Sequence, residues 1–276
     1  MKKLLLLFLL AAAVFIAYAP AVRNDFVWDD TALVLRDPLI RSWRLIPEGF
    51  QHFLFTDASA SDFYRPIQRL SYTFDYAVFA FSPTAFHLTS IACHAAAAGA
   101  LYFFATELLA FLGAAERSRR YVPFIAALAW ALHPLHTSAV AYISGRADPL
   151  AALFGFAGLY LGLRSLRANG GARWGLIVGA GLALLLSGLS KEAGLIFLAV
   201  WLALLALQKN WKALLRASAV VAFILVIYLS LRLPAEHTPP PAAVHPVPLL
   251  VRPILVARAF AEYSWLIVYP VHLEMD

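Results

Sequence analysis

Residues 4–22, LLLLFLLAAAVFIAYAPAV, decide the class of this protein before any other part of the chain is considered. The stretch carries no charged side chain, and about 20 apolar residues are enough to cross a bilayer as a helix. Two lysines precede it, as they would in a cleavable signal peptide or in a first transmembrane helix. Because a proline directly follows the small residues of the candidate cleavage site, we favour an uncleaved anchor over residues 1–22.

The composition of the whole chain agrees with a membrane protein. Of its 276 residues, 62% are hydrophobic and 14% are charged, whereas soluble domains are about half apolar and a quarter charged. The single cysteine excludes an intramolecular disulfide framework. The net charge of +6 is explained by loop charges that orient membrane helices, so we expect no nucleic-acid partner.

Six further apolar stretches predict transmembrane helices 2 to 7 within residues 84–231. They cover residues 84–113, 121–142, 149–166, 174–189, 193–208 and 217–231. When these spans alternate across the bilayer, half of the 22 basic residues fall in four short segments on one side. The positive-inside rule makes that side cytoplasmic, so the amino terminus lies inside and residues 23–83 form a long extracytoplasmic loop.

The carboxyl-terminal part of the chain has a different pattern. Residues 232–250 are rich in proline and predict an extended outer loop. Residues 251–276 are apolar but contain Arg252, Arg258 and Glu262, which are costly at bilayer depth. We therefore predict an interfacial helix, a re-entrant helix or a partial eighth span there.

Four polar clusters fall on the predicted outer side although they are far apart in the sequence. They are NDFVWDD at residues 24–30, Tyr64-Arg65-Pro66, HPLHTSAVAYISGRAD at residues 133–148, and Ser190-Lys191-Glu192. A site at the junction of the membrane and the outer loops would need such a convergence.

The adjacent carboxylates Asp29 and Asp30 are candidates for acid–base chemistry. One of them could accept a proton from an attacking hydroxyl, with its pKa tuned by burial and by the neighbouring acid. The alternative is a solvated acidic turn without a chemical role.

Three basic residues, Arg65, Arg146 and Lys191, lie close to the predicted outer surface. Arginine offers a planar fork that suits phosphate, and together these cations could hold a lipid phosphate. The alternative is orientation or snorkelling, but the orientation rule favours bases on the opposite side.

His133 and His136 are spaced so that they can share a helix face. A metal site would need further ligands, for which Asp148, His87 and His94 are available. We favour hydrogen-bonded polar residues that line a cavity, with His87 and His94 packed inside the second span, and expect no metal or other cofactor.

The four clusters, in this order, resemble the membrane domain of the transmembrane and tetratricopeptide-repeat O-mannosyltransferase family, including its bacterial relatives. The resemblance covers about residues 20–210. It rests on NDFVWDD, YRPIQRLSYTFDYAVF followed by FHLTSIACHAAAAGALYFF, ALHPLHTSAVAYISGRADPLAALFGFAGLYL, and LSKEAGLIFLAVWLALL.

The resemblance implies an all-α polytopic membrane protein, a GT-C-like helical bundle with a long first extracytoplasmic loop. It implies a hexosyltransferase in a plasma membrane, here a bacterial inner membrane, that moves a sugar such as mannose from a polyprenyl-phosphate carrier to a protein or glycan acceptor on the outer face. An acid of the first outer loop is the base in such enzymes, which maps onto Asp29 or Asp30.

We add substrate-binding roles from charge and placement alone. The candidates are Arg65, Arg146, Lys191, His133, His136, Asp148 and Glu192. Family members usually continue into further spans and helical repeats, so we expect this chain to be a fragment or a shortened relative.

The sequence alone is also compatible with two other classes of function. In a membrane transporter, Asp29, Arg146 and Lys191 would line a polar passage, although transporters usually place ionisable groups near the bilayer midplane. The second alternative is a noncatalytic membrane scaffold.

Overall fold

The computed structural model describes residues 2–56, 62–235 and 248–270, and this part of the chain is helical without a β-strand. The helices are α1 (Lys2–Tyr18), α2 (Ile46–Gly49), α3 (Pro66–Phe79), α4 (Pro83–Phe111), α5 (Glu116–Ala131), α6 (Thr137–Ala141), α7 (Ala147–Ser165), α8 (Gly170–Ser190), α9 (Ile196–Leu207), α10 (Trp211–Arg232) and α11 (Arg252–Val268). The prediction of an all-α polytopic membrane protein is confirmed.

In the part of the chain that the structure describes, four helical segments are long and apolar enough to cross a membrane. They are Lys3–Arg23, Pro83–Phe111, Gly170–Ser190 and Trp211–Arg232. A fifth span results if Glu116–Ala131 and Pro134–Ala141, which meet at a bend of 52°, are counted together. The bend follows from Pro134, which has no backbone N–H to continue the helix.

The sequence predicted seven spans, whereas the described residues contain four, or five with the bent pair. Two predicted spans are therefore not matched by a spanning segment. The predicted span at 193–208 contains α9, whose 12 residues extend about 18 Å, less than the ~30 Å hydrocarbon core. The predicted span at 149–166 lies in α7, which is 19 residues long but does not belong to the four spanning segments of the described chain. α7 is largely buried among its neighbours, whereas α9 buries one face, with Leu198, Trp201 and Leu205, and leaves its ends at Ile196 and Leu207 exposed.

α7 occupies the centre of the bundle, between α4 on one side and α8 and α9 on the other. Glycines on α7 make this close packing feasible. A Cβ at Gly158 would lie 2.6 Å from Leu184 Cγ of α8, and one at Gly162 would lie 2.6 Å from Trp201 Nε1 of α9. Small residues allow membrane helices to approach closely and gain van der Waals contact.

The described residues of the predicted outer loop 23–83 are arranged around α3. Arg69 of α3 is buried, and its guanidinium forms an ion pair of 2.9 Å with Asp37. The same guanidinium donates to the backbone carbonyls of Gly49, His52, Phe53 and Leu54, at 2.7–3.2 Å. Arg69 thus ties the irregular first half of the loop to the helix in its second half.

The carboxyl-terminal segment contains α11, whose side chains are almost all exposed. A contact between His133 Nε2 and the carbonyl oxygen of Ile267, at 2.9 Å, joins it to the bundle. Most of the predicted proline-rich loop 232–250 lies outside the described residues, and so does the end of the predicted segment 251–276.

Candidate functional site

One short segment, residues 142–148 with the sequence YISGRAD, connects the polar clusters of the four motifs. It runs from the end of α6 through the 3₁₀ turn Ile143–Arg146 into α7. Gly145 permits its tight path, because a Cβ there would collide with the carbonyl oxygen of Ser138 and lie 2.9 Å from Ala139 Cα.

Asp30 joins the first outer loop to this segment. Its carboxylate is fully buried, and Oδ1 accepts a hydrogen bond of 2.8 Å from the backbone N–H of Ser144. Oδ2 accepts a second bond of 3.2 Å from the backbone N–H of Val27. Burial raises the pKa of Asp30 to about 6, an effect that the two backbone hydrogen bonds oppose and the neighbouring Asp29 charge reinforces.

Asp29 has the opposite environment. The residue is exposed, and no hydrogen bond or ion pair within the described chain engages its carboxylate. Its backbone N–H donates to the hydroxyl of Tyr142 at 2.9 Å. Trp28, which contacts the Tyr142 ring edge-on, has a φ of 48°, a conformation that is strained for a bulky residue. The backbone is therefore fixed while the carboxylate stays available to a ligand.

α3 holds the 142–148 segment from the other side. Gln68 Nε2 donates to the carbonyl oxygen of Ser144 at 2.7 Å, and the Tyr72 hydroxyl donates to that of Ile143 at 3.0 Å. Gln68 also donates to the Tyr72 hydroxyl at 2.7 Å. Buried hydrogen bonds of this kind fix the segment because breaking one leaves an unsatisfied polar group.

Arg146 is buried, although the sequence predicted that it lies close to the outer surface. The side chain is fully buried and forms an ion pair of 2.6 Å with the equally buried Asp75 of α3. Its guanidinium also donates to Ser90 Oγ, Ser71 Oγ and the carbonyl oxygen of Phe86, and it stacks on the ring of Tyr72. Its guanidinium is therefore buried and bonded inside the protein, and it is not exposed to an external anion as the sequence led us to expect.

The other two predicted cations are more accessible, and each is held by an acid. Arg65 Nε lies 2.9 Å from Glu192 Oε2, and Glu192 Oε1 accepts from the backbone N–H of Tyr64 at 2.8 Å. Lys191 Nζ lies 2.7 Å from both carboxylate oxygens of Asp148. Lys191 keeps 27% of its side chain exposed, so an anion can reach it without unfolding the site.

The predicted histidines form a ring cluster where α5 bends into α6. The His136 ring lies 4.5 Å from the Trp130 ring and 5.3 Å from the His94 ring, as measured between centroids. His94 Nε2 lies 2.9 Å from the carbonyl oxygen of Ala131, and His87 is buried in α4. Among the described residues, no three His, Cys, Asp or Glu side chains are grouped as they would be around a metal ion.

Several residues of the site have no distinguishing signal in the sequence. Gln68, Tyr72 and Asp75 lie on one face of α3, and Tyr142 and Ser144 are uncharged residues of the motif at residues 133–148. The spacing of Gln68, Tyr72 and Asp75 at helical intervals could have shown that they share a face. It could not have shown that Asp75 pairs with Arg146.

The comparisons with known proteins agree with the motifs. Mouse and human protein O-mannosyl-transferase TMTC2 are each 34% identical to this chain over 189 residues, which cover 66% of this chain and 22% of each relative. A protein O-mannosyl-transferase of Caenorhabditis elegans is 28% identical over 193 residues, which cover 68% of this chain and 26% of that protein. No family model and no solved structure matches the chain.

The matched part of this chain is thus between 22% and 26% of the length of these relatives. The similarity covers about two thirds of this chain, which is the extent that the four motifs predicted. The predicted resemblance is confirmed, and this chain is a homologue of the TMTC protein O-mannosyl-transferases.

Proposed function

We propose that this chain carries the base and part of the donor-binding surface of a membrane glycosyltransferase. In this proposal mannose moves from a polyprenyl-phosphate carrier to a hydroxyl group of a protein or glycan on the outer face of a bacterial inner membrane. Support comes from the names of the homologues, from the multi-pass helical architecture, and from the gathering of the polar motifs around residues 142–148.

Asp29 is the general base of the proposed reaction. Its carboxylate accepts the proton of the acceptor hydroxyl while the acceptor oxygen bonds to the anomeric carbon of the sugar. The bond between that carbon and the phosphate oxygen breaks, and the electron pair stays on the phosphate. Because phosphate is a good leaving group, cations that steady its charge can replace a strong general acid.

Asp30 supports Asp29 and does not share the proton in this scheme. Its two carboxylate oxygens are occupied by the backbone N–H groups of Val27 and Ser144. It holds the backbone of the acidic turn against the 142–148 segment. A fixed backbone keeps the reacting carboxylate of Asp29 in one orientation, which favours the reaction.

Arg65 and Lys191 are the proposed contacts to the carrier phosphate. Both cations carry part of their side chain at the surface, and their partners Glu192 and Asp148 orient them in the absence of an anion. Arg146 acts through the segment that it anchors. His133 and His136 belong to the polar lining beyond the bend of α5, without a bond to the reacting atoms.

The observation that carries the proposal is the contrast between the exposed Asp29 and the buried, hydrogen-bonded Asp30. The test is transfer of radiolabelled mannose from polyprenyl-phosphate mannose to an acceptor peptide, in membranes that contain the full protein. We expect Asp29→Asn to reduce transfer by roughly 100-fold or more, in the range that removal of general-base catalysis typically costs.

The matched control is Asp25→Asn, which removes an exposed carboxylate from the same turn. This variant should keep transfer close to that of the parent, because within the described chain the Asp25 carboxylate accepts a hydrogen bond from the adjacent backbone N–H of Phe26 and bonds to no residue of the 142–148 segment. Equal transfer by the Asp29→Asn variant and the parent would remove Asp29 from the reaction. Equal loss in both variants would show that the acidic turn acts through its overall charge.

A further inference from the structure

A cavity of about 600 Å³ opens between α1, α4 and α5, at the end of the bundle that carries the amino terminus. Glu107 of α4 lies in the wall of this cavity. It is roughly 30 Å from Phe86 along the axis of α4, because an α-helix rises about 1.5 Å per residue. Because Phe86 contacts Arg146, the cavity is separate from the site around residues 142–148. The proposed transfer reaction makes no use of it.

The charge on the cavity wall is unbalanced. Four of its lining residues are basic: Lys3, Arg119, Arg120 and Arg167. Arg167 is paired with the buried Glu107 at 2.8 Å. Within the described chain no ion pair engages the other three bases, and Glu116 is the one further acid on the wall. The cavity therefore has an excess of positive charge.

Arg119 adds an observation that points to a ligand. Its Nε atom is buried, and no acceptor in the described chain bonds to it. Buried guanidinium N–H groups normally have a partner, and a phosphate oxygen suits the planar donor geometry of arginine.

The remaining wall of the cavity is mostly apolar. Leu5 and Leu6 of α1, Ala110 of α4 and Phe124 of α5 line it next to the bases. A soluble anion would leave this apolar surface without a partner, whereas an acyl chain covers it. An ammonium headgroup would be repelled by the unpaired bases.

We propose that this cavity binds an anionic phospholipid. The headgroup phosphate lies between Arg119, Arg120 and Lys3, and the start of an acyl chain runs along Leu6 and Phe124. Basic pockets between transmembrane helices on the cytoplasmic side are suited to such headgroups, and the predicted orientation places this end of the bundle there.

The test is a binding titration of the purified full chain in a neutral detergent, followed by native mass spectrometry. The probes are phosphatidylglycerol, phosphatidylcholine with the same acyl chains, and glycerol 3-phosphate without acyl chains. We expect phosphatidylglycerol to bind about tenfold more tightly than either other probe. The Arg119→Gln/Arg120→Gln variant should lose roughly tenfold in that affinity, as expected when a charge-assisted hydrogen bond is removed.

The matched control is Arg117→Gln, an exposed base on the same turn of α5 that does not line the cavity. It should bind phosphatidylglycerol as the parent does. If the double variant fails to fold, Lys3→Gln and Arg120→Gln test the same prediction at exposed positions. Equal binding of the two phospholipids, tight binding of glycerol 3-phosphate, or unchanged affinity in the folded cavity variants would each overturn the proposal.

Discussion

The backbone N–H of Ser144 lies 2.8 Å from Oδ1 of Asp30, across 114 residues of sequence. This bond joins the acidic turn after the first span to the segment that leads into α7. Three other parts of the site contact the same segment: α3 through Gln68, the 190–192 turn through Lys191, and the start of α4 through Ser90. A single loop between two helices thus sets the geometry of the candidate site.

The pH dependence of stability should report the burial of Asp30. Its pKa is about 6 in the folded protein, compared with the ordinary value of 3.8 that applies to the unfolded chain. Between pH 3.8 and about pH 6 the folded state therefore binds more protons than the unfolded state. Stability from this group is therefore present below pH ~4 and is lost as pH rises through about 6. We expect the Asp30→Asn variant, which cannot ionise, to show a smaller fall of apparent melting temperature from pH 4 to 7 than the parent. Parallel profiles would contradict the burial of this carboxylate.

The buried pair of Arg146 and Asp75 should respond asymmetrically to mutation. Arg146→Met leaves an uncompensated buried carboxylate and should cost about 3–5 kcal/mol of stability. The Arg146→Met/Asp75→Asn variant should recover part of that loss, since no buried charge is left. Apparent melting temperatures measured in one detergent compare the two variants.

The exposed pair of Arg258 and Glu262 is the control for that experiment, with side chains 75% and 58% exposed. Removing one of its partners should change the melting temperature little, because solvent screens the attraction between two exposed charges. A single variant of the buried pair that unfolds no earlier than this surface control would contradict the assignment of Arg146 as an anchor.

Donor affinity should depend on Arg65 and Lys191. Replacing either cation by Gln should raise the KM for the polyprenyl-phosphate donor by roughly tenfold, because a charge-assisted hydrogen bond is lost, and should change kcat less. Arg65→Lys should rescue poorly because lysine lacks the planar fork. Arg23→Gln, an exposed base on the same side, is the matched control. Unchanged KM values in both variants would mean that the phosphate binds elsewhere.

The glycine contacts of α7 predict a difference between two alanine substitutions. Gly162→Ala would place a Cβ 2.6 Å from Trp201 Nε1, and overpacking of this kind typically costs about 1–3 kcal/mol. Gly175→Ala on α8 meets no atom within 4 Å and should be neutral or slightly stabilising. Thermal unfolding of both variants tests the packing, and equal melting temperatures would contradict it.

The predicted orientation can be tested with single cysteines in a Cys93→Ala background. Cysteine at Asn24 should react with an impermeant maleimide on intact cells, whereas cysteine at Ala172 should react after permeabilisation. Both positions are exposed, so access to the membrane side decides the labelling. The reverse pattern would place the candidate site in the cytoplasm.

The sequence by itself determined the class of the protein and the residues worth examining. Apolar runs of spanning length have few other stable solutions than membrane helices, because backbone groups in lipid must bond internally. The four polar motifs predicted the resemblance that the curated relatives confirm, and their order along the chain needs no structure. Asp29 and Asp30 could be selected as a pair because a local motif and a predicted side of the membrane are both properties of the sequence.

The tertiary structure alone decided how these residues divide their roles. Asp29 and Asp30 are chemically identical neighbours, and the difference between them arises because Ser144 and Val27 bury and bond the second carboxylate. In the sequence, Arg146 has the same charge and the same predicted membrane side as Arg65 and Lys191. It differs from them in the structure because α3 brings the buried Asp75 into an ion pair with it. Burial and pairing depend on which helix faces pack together, and that packing joins residues too far apart in the sequence for a local pattern to record.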